Sequence, residues 1–331
     1  MQKLGSKIGL LFESQADIMS APTAKEETHY HWREFEEVEA VTSALISLGC
    51  EVDKIGTLDN LLEKWRIQQL PDFVWNLSVR TVSRNRTALA PAILEQLQIP
   101  YTGGDATIKS LTLNKDLLKP VLQWCGVLTP RWYRYSNAED IQSLPPWSVS
   151  ILKPSCEGYS LGLQRFENRQ GINGLCDAIA NLQQSFGVPV LCEELIRGRE
   201  ITVGVVGNFT PSLLGGIETV NSEGKALQEE VLDLRAKRQG SFQKIAVDLS
   251  SPELRNLGEV VEKLMQFFSP LDYATFDFRI AADGRAYLLD INADATLNPQ
   301  RSFAQIALQN GLSYQQLIEM ILQASLKRWE V

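Results

Sequence analysis

The residues with chemical promise in this 331-residue chain are lysines, acids and one amide, spread over its C-terminal two-thirds. Lys115 sits in LTLNKDLLK and Lys153 in VSILKPSCEGYSLGL. Glu193 and Glu194 sit in VLCEELIRGRE, Asp277 in ATFDFRI, and Asp290 and Asn292 in AYLLDIN. Each lies at or near the edge of an apolar or β-branched run that reads as a strand. Lysines suit phosphates, a glutamate pair suits a nucleoside, and a carboxylate–amide trio suits Mg²⁺, with Mn²⁺ as the alternative. Together they make an ATP site that no single contiguous motif supplies.

Spacing sharpens several of these. Asp290 and Asn292 are two apart on a strand, so both face one side. An acidic and an amide oxygen suit a hard cation, and Mg²⁺ is usually held by one or two carboxylates plus nucleotide phosphates. Asp277, on the strand expected to pair with theirs, adds another oxygen. Lys153 precedes Pro154, which keeps it extended and lets its ammonium project as a point charge. Glu193 and Glu194 alternate on a strand, so only one faces a given side. The inward one can accept from an adenine amino group or from ribose hydroxyls. Taken singly, each of these residues also has the plain reading of a solvated charge.

The segment Gly158-Tyr159-Ser160-Leu161-Gly162 matches G-x-S-x-G, the nucleophile elbow of α/β-hydrolases. That chemistry needs a histidine downstream of Ser160. The chain's histidines, His29 and His31, both lie upstream, and the hydrolase reading fails. The segment reads instead as a glycine-rich hairpin whose backbone N–H groups can close over phosphate oxygens. His29 and His31 are too few for a metal site and read as loop residues. The five cysteines show no CxxC pair and fit reduced, mostly buried thiols; Cys156, in the hairpin region, reads as inert.

These side chains need strands to hold them. Lys7–Phe12, Glu51–Ile55 and Asp72–Trp75 read as strands. They alternate with helices from Phe35 to Leu48 (stopped by Gly49), Leu58–Ile67 and Thr87–Leu97, the last with Pro91 near its start. Such alternation predicts a doubly wound parallel sheet. Beyond about Ala106 the order changes. Helix Asn114–Cys125, strand Arg131–Tyr135, strand Ser148–Lys153, a helix near Arg169–Phe186 and strand Pro189–Glu193 follow. Strands Glu200–Val206 and Phe209–Glu218 are expected to be antiparallel neighbours. The polar stretch Asn221–Ile245 reads as a long, partly mobile loop. Helix Pro252–Phe268, a hairpin of Ala274–Ala281 with Arg285–Ile291, and helix Ser313–Arg328 close the chain.

Bulk composition narrows the partners. With 44% hydrophobic and 22% charged residues the chain is ordinary globular protein, long enough for two or three compact units. A net charge of −8 leaves no basic stripe for nucleic acid. No apolar run reaches the roughly 18–20 residues that span a bilayer, and the N-terminus is too quickly polar for a secretory signal, so a cytoplasmic location without membrane contact is expected.

The stretches IPYTGGD, LTLNKDLLK, ILKPSCEGYSLGL, VLCEELIRGREITVGVVGN, DFRIAADGRAYLLDIN and ALQNGLSYQQLIEMIL, in this order, resemble ATP-grasp enzymes of the D-alanine–D-alanine ligase type from about Ala88 onward. The resemblance implies an α/β fold, α+β in its later parts, in three units. These are an N-terminal domain at 1–105, a central subdomain at 106–190, and a C-terminal subdomain at 191–331 with a mobile loop near 221–245. ATP would lie between the last two. It implies phosphate contacts from Lys115, Lys153 and Lys237. Glu157, Gly158, Tyr159 and Ser160 fall on the loop over the phosphates. Glu193, Glu194, Ile196 and Glu200 fall on the nucleoside side, and Asp277, Asp290 and Asn292 on the metal. Catalytic roles fall to Lys237, Ser160 and Arg301. The partners implied are amino-acid-like carboxylates and amines, and a homodimer is open.

The departures from the family pattern fall on the acyl and amine half. The arginine that such ligases carry two residues before the first metal aspartate, as an oxyanion donor, is Thr275 here. Losing such a donor typically costs about 10²–10³-fold in rate. The usual E-x-N is Asp290-Ile291-Asn292, the P-G-M-T segment is Asp294-Ala295-Thr296-Leu297, and the serine–leucine pair is Arg301-Ser302. The mobile-loop tyrosine is Arg238, the first serine of the glycine loop is Tyr159, and the N-terminal glutamate that positions the first amino group has no clear counterpart. The expectation is therefore an ADP-producing carboxylate–amine ligase that works through an acyl phosphate on a substrate other than D-alanine. A genuine D-alanine–D-alanine ligase and a nucleotide-binding protein without chemistry stand as alternatives. Arg301 is expected to bind an acidic substrate group, or else to pair with Asp294.

Overall fold

The structure, a computed structural model, describes residues 7–20, 24–80, 83–231 and 242–330. In chain order its elements are β1 (Lys7–Leu11), α1 (Gln15–Met19), α2 (Glu26–His29), α3 (Phe35–Ser47), β2 (Glu51–Gly56), α4 (Leu58–Arg66), β3 (Phe73–Asn76), α5 (Arg86–Gln96), α6 (Ala106–Leu113), α7 (Lys115–Trp124) and β4 (Trp132–Tyr135). There follow β5 (Val149–Pro154), β6 (Gln164–Glu167), α8 (Gly171–Phe186), β7 (Val190–Glu194), β8 (Arg199–Val206), β9 (Ser212–Asn221), β10 (Phe242–Val247), α9 (Arg255–Phe268), β11 (Tyr273–Ile280), β12 (Ala286–Asn292), α10 (Ser302–Gln309) and α11 (Tyr314–Trp329).

The first sheet is parallel, in the order β2-β1-β3. Successive strand residues point to opposite faces, and both faces are apolar. Ile8, Leu10, Phe73 and Trp75 pack toward α3 and α11, while Leu11 and Val74 pack toward α4 and α5. Helices on both faces give the doubly wound arrangement. The core under α3 continues into Ile217, Tyr273, Phe303 and Ile318, so the N-terminal sheet shares its packing with the C-terminal part of the chain.

Two antiparallel sheets form the rest. One has the order β4-β7-β5-β6 and is backed by α8 through Leu152, Phe166, Leu175, Ile179 and Leu182. The other has the order β10-β9-β8-β11-β12 and buries Val203, Val205, Phe276 and Phe278 against Val261, Leu264 and Met265 of α9. The α/β architecture with a parallel first sheet agrees with the sequence reading.

One local expectation needs correction, and two helices are added. The stretch Asn221–Ile245 is not one loop: β9 extends to Asn221, and β10 begins at Phe242 and pairs antiparallel with β9. As an edge strand β10 exposes Gln243, Ile245 and Ala246, and its mixed polar sequence hides the strand. Lys237 and Arg238 lie outside the described residues. Helix α6 carries little sequence signal, being short and separated from α7 by Asn114 alone; Asp105 caps it by accepting from the Ile108 N–H at 2.8 Å. Helix α10 is equally short.

Candidate active site

Strand register builds the floor of the site. Residues directly opposite on paired strands share a face. Glu200 lies opposite Arg279, and Thr202 opposite Asp277. Asp277 in turn lies opposite Asp290, and Thr275 opposite Asn292. On the other side Thr219 lies between Glu200 and Lys244. All of these side chains line one cavity of about 770 Å³. The facing wall comes from the four-stranded sheet, where Ile151 lies opposite Glu193 and Lys153 is two residues further along the same face.

The lysines and acids meet as ion pairs. Lys115 is the first residue of α7, and its own N–H donates to Ser155 O at 2.9 Å, which docks the helix start beside the end of β5. Its Nζ lies 2.9 Å from Asp290 Oδ2 and donates to Glu157 O at 3.0 Å. Lys153 Nζ lies 2.8 Å from Glu193 Oε2, and Lys119 Nζ lies 3.0 Å from Glu193 Oε1. Burial would raise the Glu193 carboxyl, but Lys119 and Lys153 together hold it below the usual carboxylate range. Burial lowers Lys119 to about 8 against the pull of Glu193. Glu193 therefore braces two lysines in this state. Glu194, next along the strand, forms a two-bond fork with Arg131 and also lines the cavity.

The three expected metal ligands are brought together. Thr202 Oγ1 donates to Asp277 Oδ1 at 2.7 Å, and Asn292 Nδ2 donates to Asp277 Oδ2 at 2.8 Å. Among the described residues no cluster of three or more His, Cys, Asp or Glu is placed to hold a metal alone. Two carboxylates on paired strands with an adjacent amide fit a Mg²⁺ that completes its shell with nucleotide phosphates, not an all-protein cage.

The hairpin leans on the N-terminal third. Glu157 accepts from Arg86 Nη2 at 3.0 Å, and its Oε2 lies 2.6 Å from His31 Nε2. The Tyr159 ring sits edge-on to Tyr30, with centroids 5.8 Å apart. Tyr159 and Ser160 adopt φ of 54° and 60°. Gly162 closes the turn at φ +68°, where a Cβ would fall 2.6 Å from Phe186 and 2.8 Å from Pro154. Gly158, Tyr159, Ser160 and Ile196 line the cavity with them. His31 does lie in a loop but is no bystander: it is 1% exposed, and burial pushes its imidazole below the usual value despite Glu157. Cys156 is buried with its thiol pushed up by that burial, consistent with an inert role.

The third wall carries pairs that the sequence did not announce. Arg301 pairs with Glu34, not with Asp294; Glu34 also accepts from Tyr30 Oη at 3.0 Å and from Asn298 Nδ2. Asp294 pairs with Lys109. Buried Glu37 accepts from Arg33 Nη1 at 3.2 Å, Thr296 Oγ1 at 2.8 Å and Leu297 N at 2.6 Å. Glu34 and Glu37 thus supply acids from the N-terminal segment, where none was legible. Lys119 had a signal, four residues after Lys115 on one helix face. Arg279 had one too, two residues after Asp277 on one strand face. Glu34, Glu37 and Arg86 had none, because they reach the cavity from loops and helix starts far away in sequence, and Arg33 stands behind them, paired with Glu37.

Paired sheets clasping lysines and acids over a shared cavity define the ATP-grasp class. The family model described as "D-ala D-ala ligase C-terminus" matches residues 114–323. The chain belongs to that family and is an ATP-grasp ligase, a carbon–nitrogen bond-forming, ADP-producing enzyme. It is 26% identical over 287 residues to the D-alanine--D-alanine ligase of Aquifex aeolicus, covering 86% of this chain and 92% of that protein. Its fold superposes on D-alanine--D-alanine ligase from Bacillus anthracis complexed with ATP at a TM-score of 0.73, with 16% identity and 98% and 99% of the two chains covered. VanG D-Ala:D-Ser ligase from Enterococcus faecalis gives 0.70, with 15% identity over 97% and 99%. No helix among the described residues is long and apolar enough to cross a membrane.

Proposed function

We propose that the protein joins a carboxylate to an amine at the expense of ATP, and that its substrates are not two D-alanines. In this reading the γ-phosphoryl group passes to a carboxylate oxygen and ADP leaves. The amine then attacks the activated carbonyl carbon, phosphate departs, and the amine loses a proton. Lys115 and Lys153 would bind the nucleotide phosphates, with Lys237 as a third cation. Mg²⁺, when bound at Asp277, Asp290 and Asn292, would neutralise charge on the transferring group. The hairpin Glu157–Gly162, pinned by Arg86 and His31, would keep water from the activated acid. The proposed units 1–105, 106–190 and 191–331 would then all line the cavity.

The observation that carries the substrate half of this reading is the wall around Thr275. That floor position holds a hydroxyl, and the adjoining wall is filled by the closed pairs Glu34–Arg301, Arg33–Glu37 and Lys109–Asp294. A small zwitterion such as D-alanine offers one carboxylate and one ammonium to such a wall. A larger acid or amine can make use of more of it. The names of the relatives favour the other reading, a D-alanine–D-alanine ligase. Both readings share the acyl phosphate, so its test comes first. With ¹⁸O in the substrate carboxylate, one label should appear in the released phosphate; phosphate without label would refute the route.

A further inference from the structure

Arg279 is 4% exposed and faces the cavity floor without a place in the phosphate or metal chemistry. An arginine has five N–H donors in a planar fork, and here the fork makes four hydrogen bonds and a further ion-pair contact. Nε donates to Glu200 Oε2 at 3.1 Å, and Nη2 lies 2.9 Å from the same oxygen. Nη1 donates to Gly198 O at 3.3 Å and Gln228 O at 2.7 Å, and Nη2 donates to Glu230 O at 2.7 Å. The Gly198 carbonyl can approach because Gly198 sits at φ +145°, where a Cβ would lie 1.9 Å from Ile280 O. Any side chain there would push the β7–β8 connection off the strand that carries Arg279.

Both Arg279 contacts fall on Oε2 of Glu200, and the Glu200 carboxylate lines the cavity. Oε1 is thus the oxygen left to meet a ligand, and its direction is fixed by a fork that three carbonyls hold still. We propose that Arg279 is the positioning residue for ribose recognition. It clamps Glu200 so that Oε1 is presented to the ribose hydroxyls of the nucleotide, and it sets preference for ribose over deoxyribose. This rests on the ATP-site reading above. Lysine cannot replace it, since an ammonium has three donors and no planar fork.

The test titrates Mg·ADP, Mg·2′-deoxyADP and Mg·3′-deoxyADP calorimetrically into the full-length protein and into Arg279→Met and Arg279→Lys. The wild type should prefer ADP to at least one deoxy form by about tenfold, the worth of a hydrogen bond to a charged group. Arg279→Met should reduce that preference to roughly twofold or less, chiefly by weakening ADP. Arg279→Lys should fail to restore it, and carries the test should the methionine variant not fold. An unchanged preference in a folded variant, with all three ligands weakened alike, would make Arg279 merely structural and overturn the proposal. So would a wild type that binds ADP without preference. A wild type that binds no ADP would instead refute the ATP site itself.

Discussion

The two halves of the cavity are built differently. On the proposed nucleotide side, the key side chains come from adjacent strands in register: Glu200 opposite Arg279, Thr202 opposite Asp277, Asp277 opposite Asp290. Their charges are paired across elements, as in Lys115 with Asp290 and Lys153 with Glu193. A Mg²⁺–triphosphate can exchange into such pairs, with the cation replacing lysine at the carboxylate and phosphate replacing carboxylate at the lysine. On the proposed substrate side, the residues come from 30–37, from 86, from 109 and from 294–305, and Glu34, Glu37 and Asp294 each have their base within that wall. Function kept by sheet register tolerates little change. A wall of loop-borne pairs can be rewritten pair by pair, and substrate preference can drift there while ATP handling persists.

The largest expected effect falls on the nucleotide side. Asp290→Asn should leave the fold intact, because it removes a carboxylate whose lysine partner keeps Glu157 O, yet lower Mg²⁺-dependent ADP release by about 10²–10³-fold or more. Near-normal turnover at ordinary Mg²⁺ would remove Asp290 from the site and weaken the contrast between the halves.

Next is Lys119→Met. Glu193 is buried and braced by two lysines. Losing one leaves its charge half compensated, so unfolding free energy should fall by about 1–3 kcal/mol in a denaturant titration. A neutral or stabilising outcome would show that Lys153 alone suffices, and that the bracing is not part of what holds the nucleotide wall.

Arg301→Ala probes the other half. Arg301 is partly exposed and shares Glu34 with Tyr30 and Asn298. The Michaelis constant for the acid or amine should rise by roughly tenfold while that for ATP holds, in line with about 1.4 kcal/mol. If both constants stay fixed and only the melting temperature drops, the Arg301–Glu34 pair is structural.

The smallest effect is a pH slope. Burial holds the His31 imidazole below its ordinary 6.5. As pH falls through 6.5 the unfolded chain takes up a proton before the folded one does. The stability present above 6.5 is therefore lost progressively below it. Melting curves should show this slope in the wild type and a shallower one in His31→Gln; equal slopes would assign the acid sensitivity to other groups.

How much of this was legible follows from the same contrast. Alternating strands and two-residue spacing announced Asp290 with Asn292, and the proline after Lys153 announced its extended, cleft-facing strand end. The doubly wound first sheet was visible because short strands alternate with helix-spaced segments from Lys7 to Leu97, and its two apolar faces bear this out. Strand β10 was not visible, since an edge strand with one face in water carries no continuous apolar signal. The partner of Arg301 could not be read because Glu34 lies 267 residues away, and the two ends meet through the shared packing of α3 with α11 and the bonds of Glu37 to Thr296 and Leu297. His31 reads only as a loop residue because a histidine in a loop has no periodicity; its meaning comes from Glu157, 126 residues on.

The central claim is that the nucleotide half is kept and the substrate half is altered. The measurement that tests it most directly is ADP release with ATP and Mg²⁺ across a panel of D- and L-amino acids and small carboxylates, with the products identified by mass. The account predicts strong, saturable release with an amide product from a pair other than two D-alanines, and weak or no stimulation by D-alanine alone. Strong, saturable formation of D-alanyl-D-alanine would contradict it.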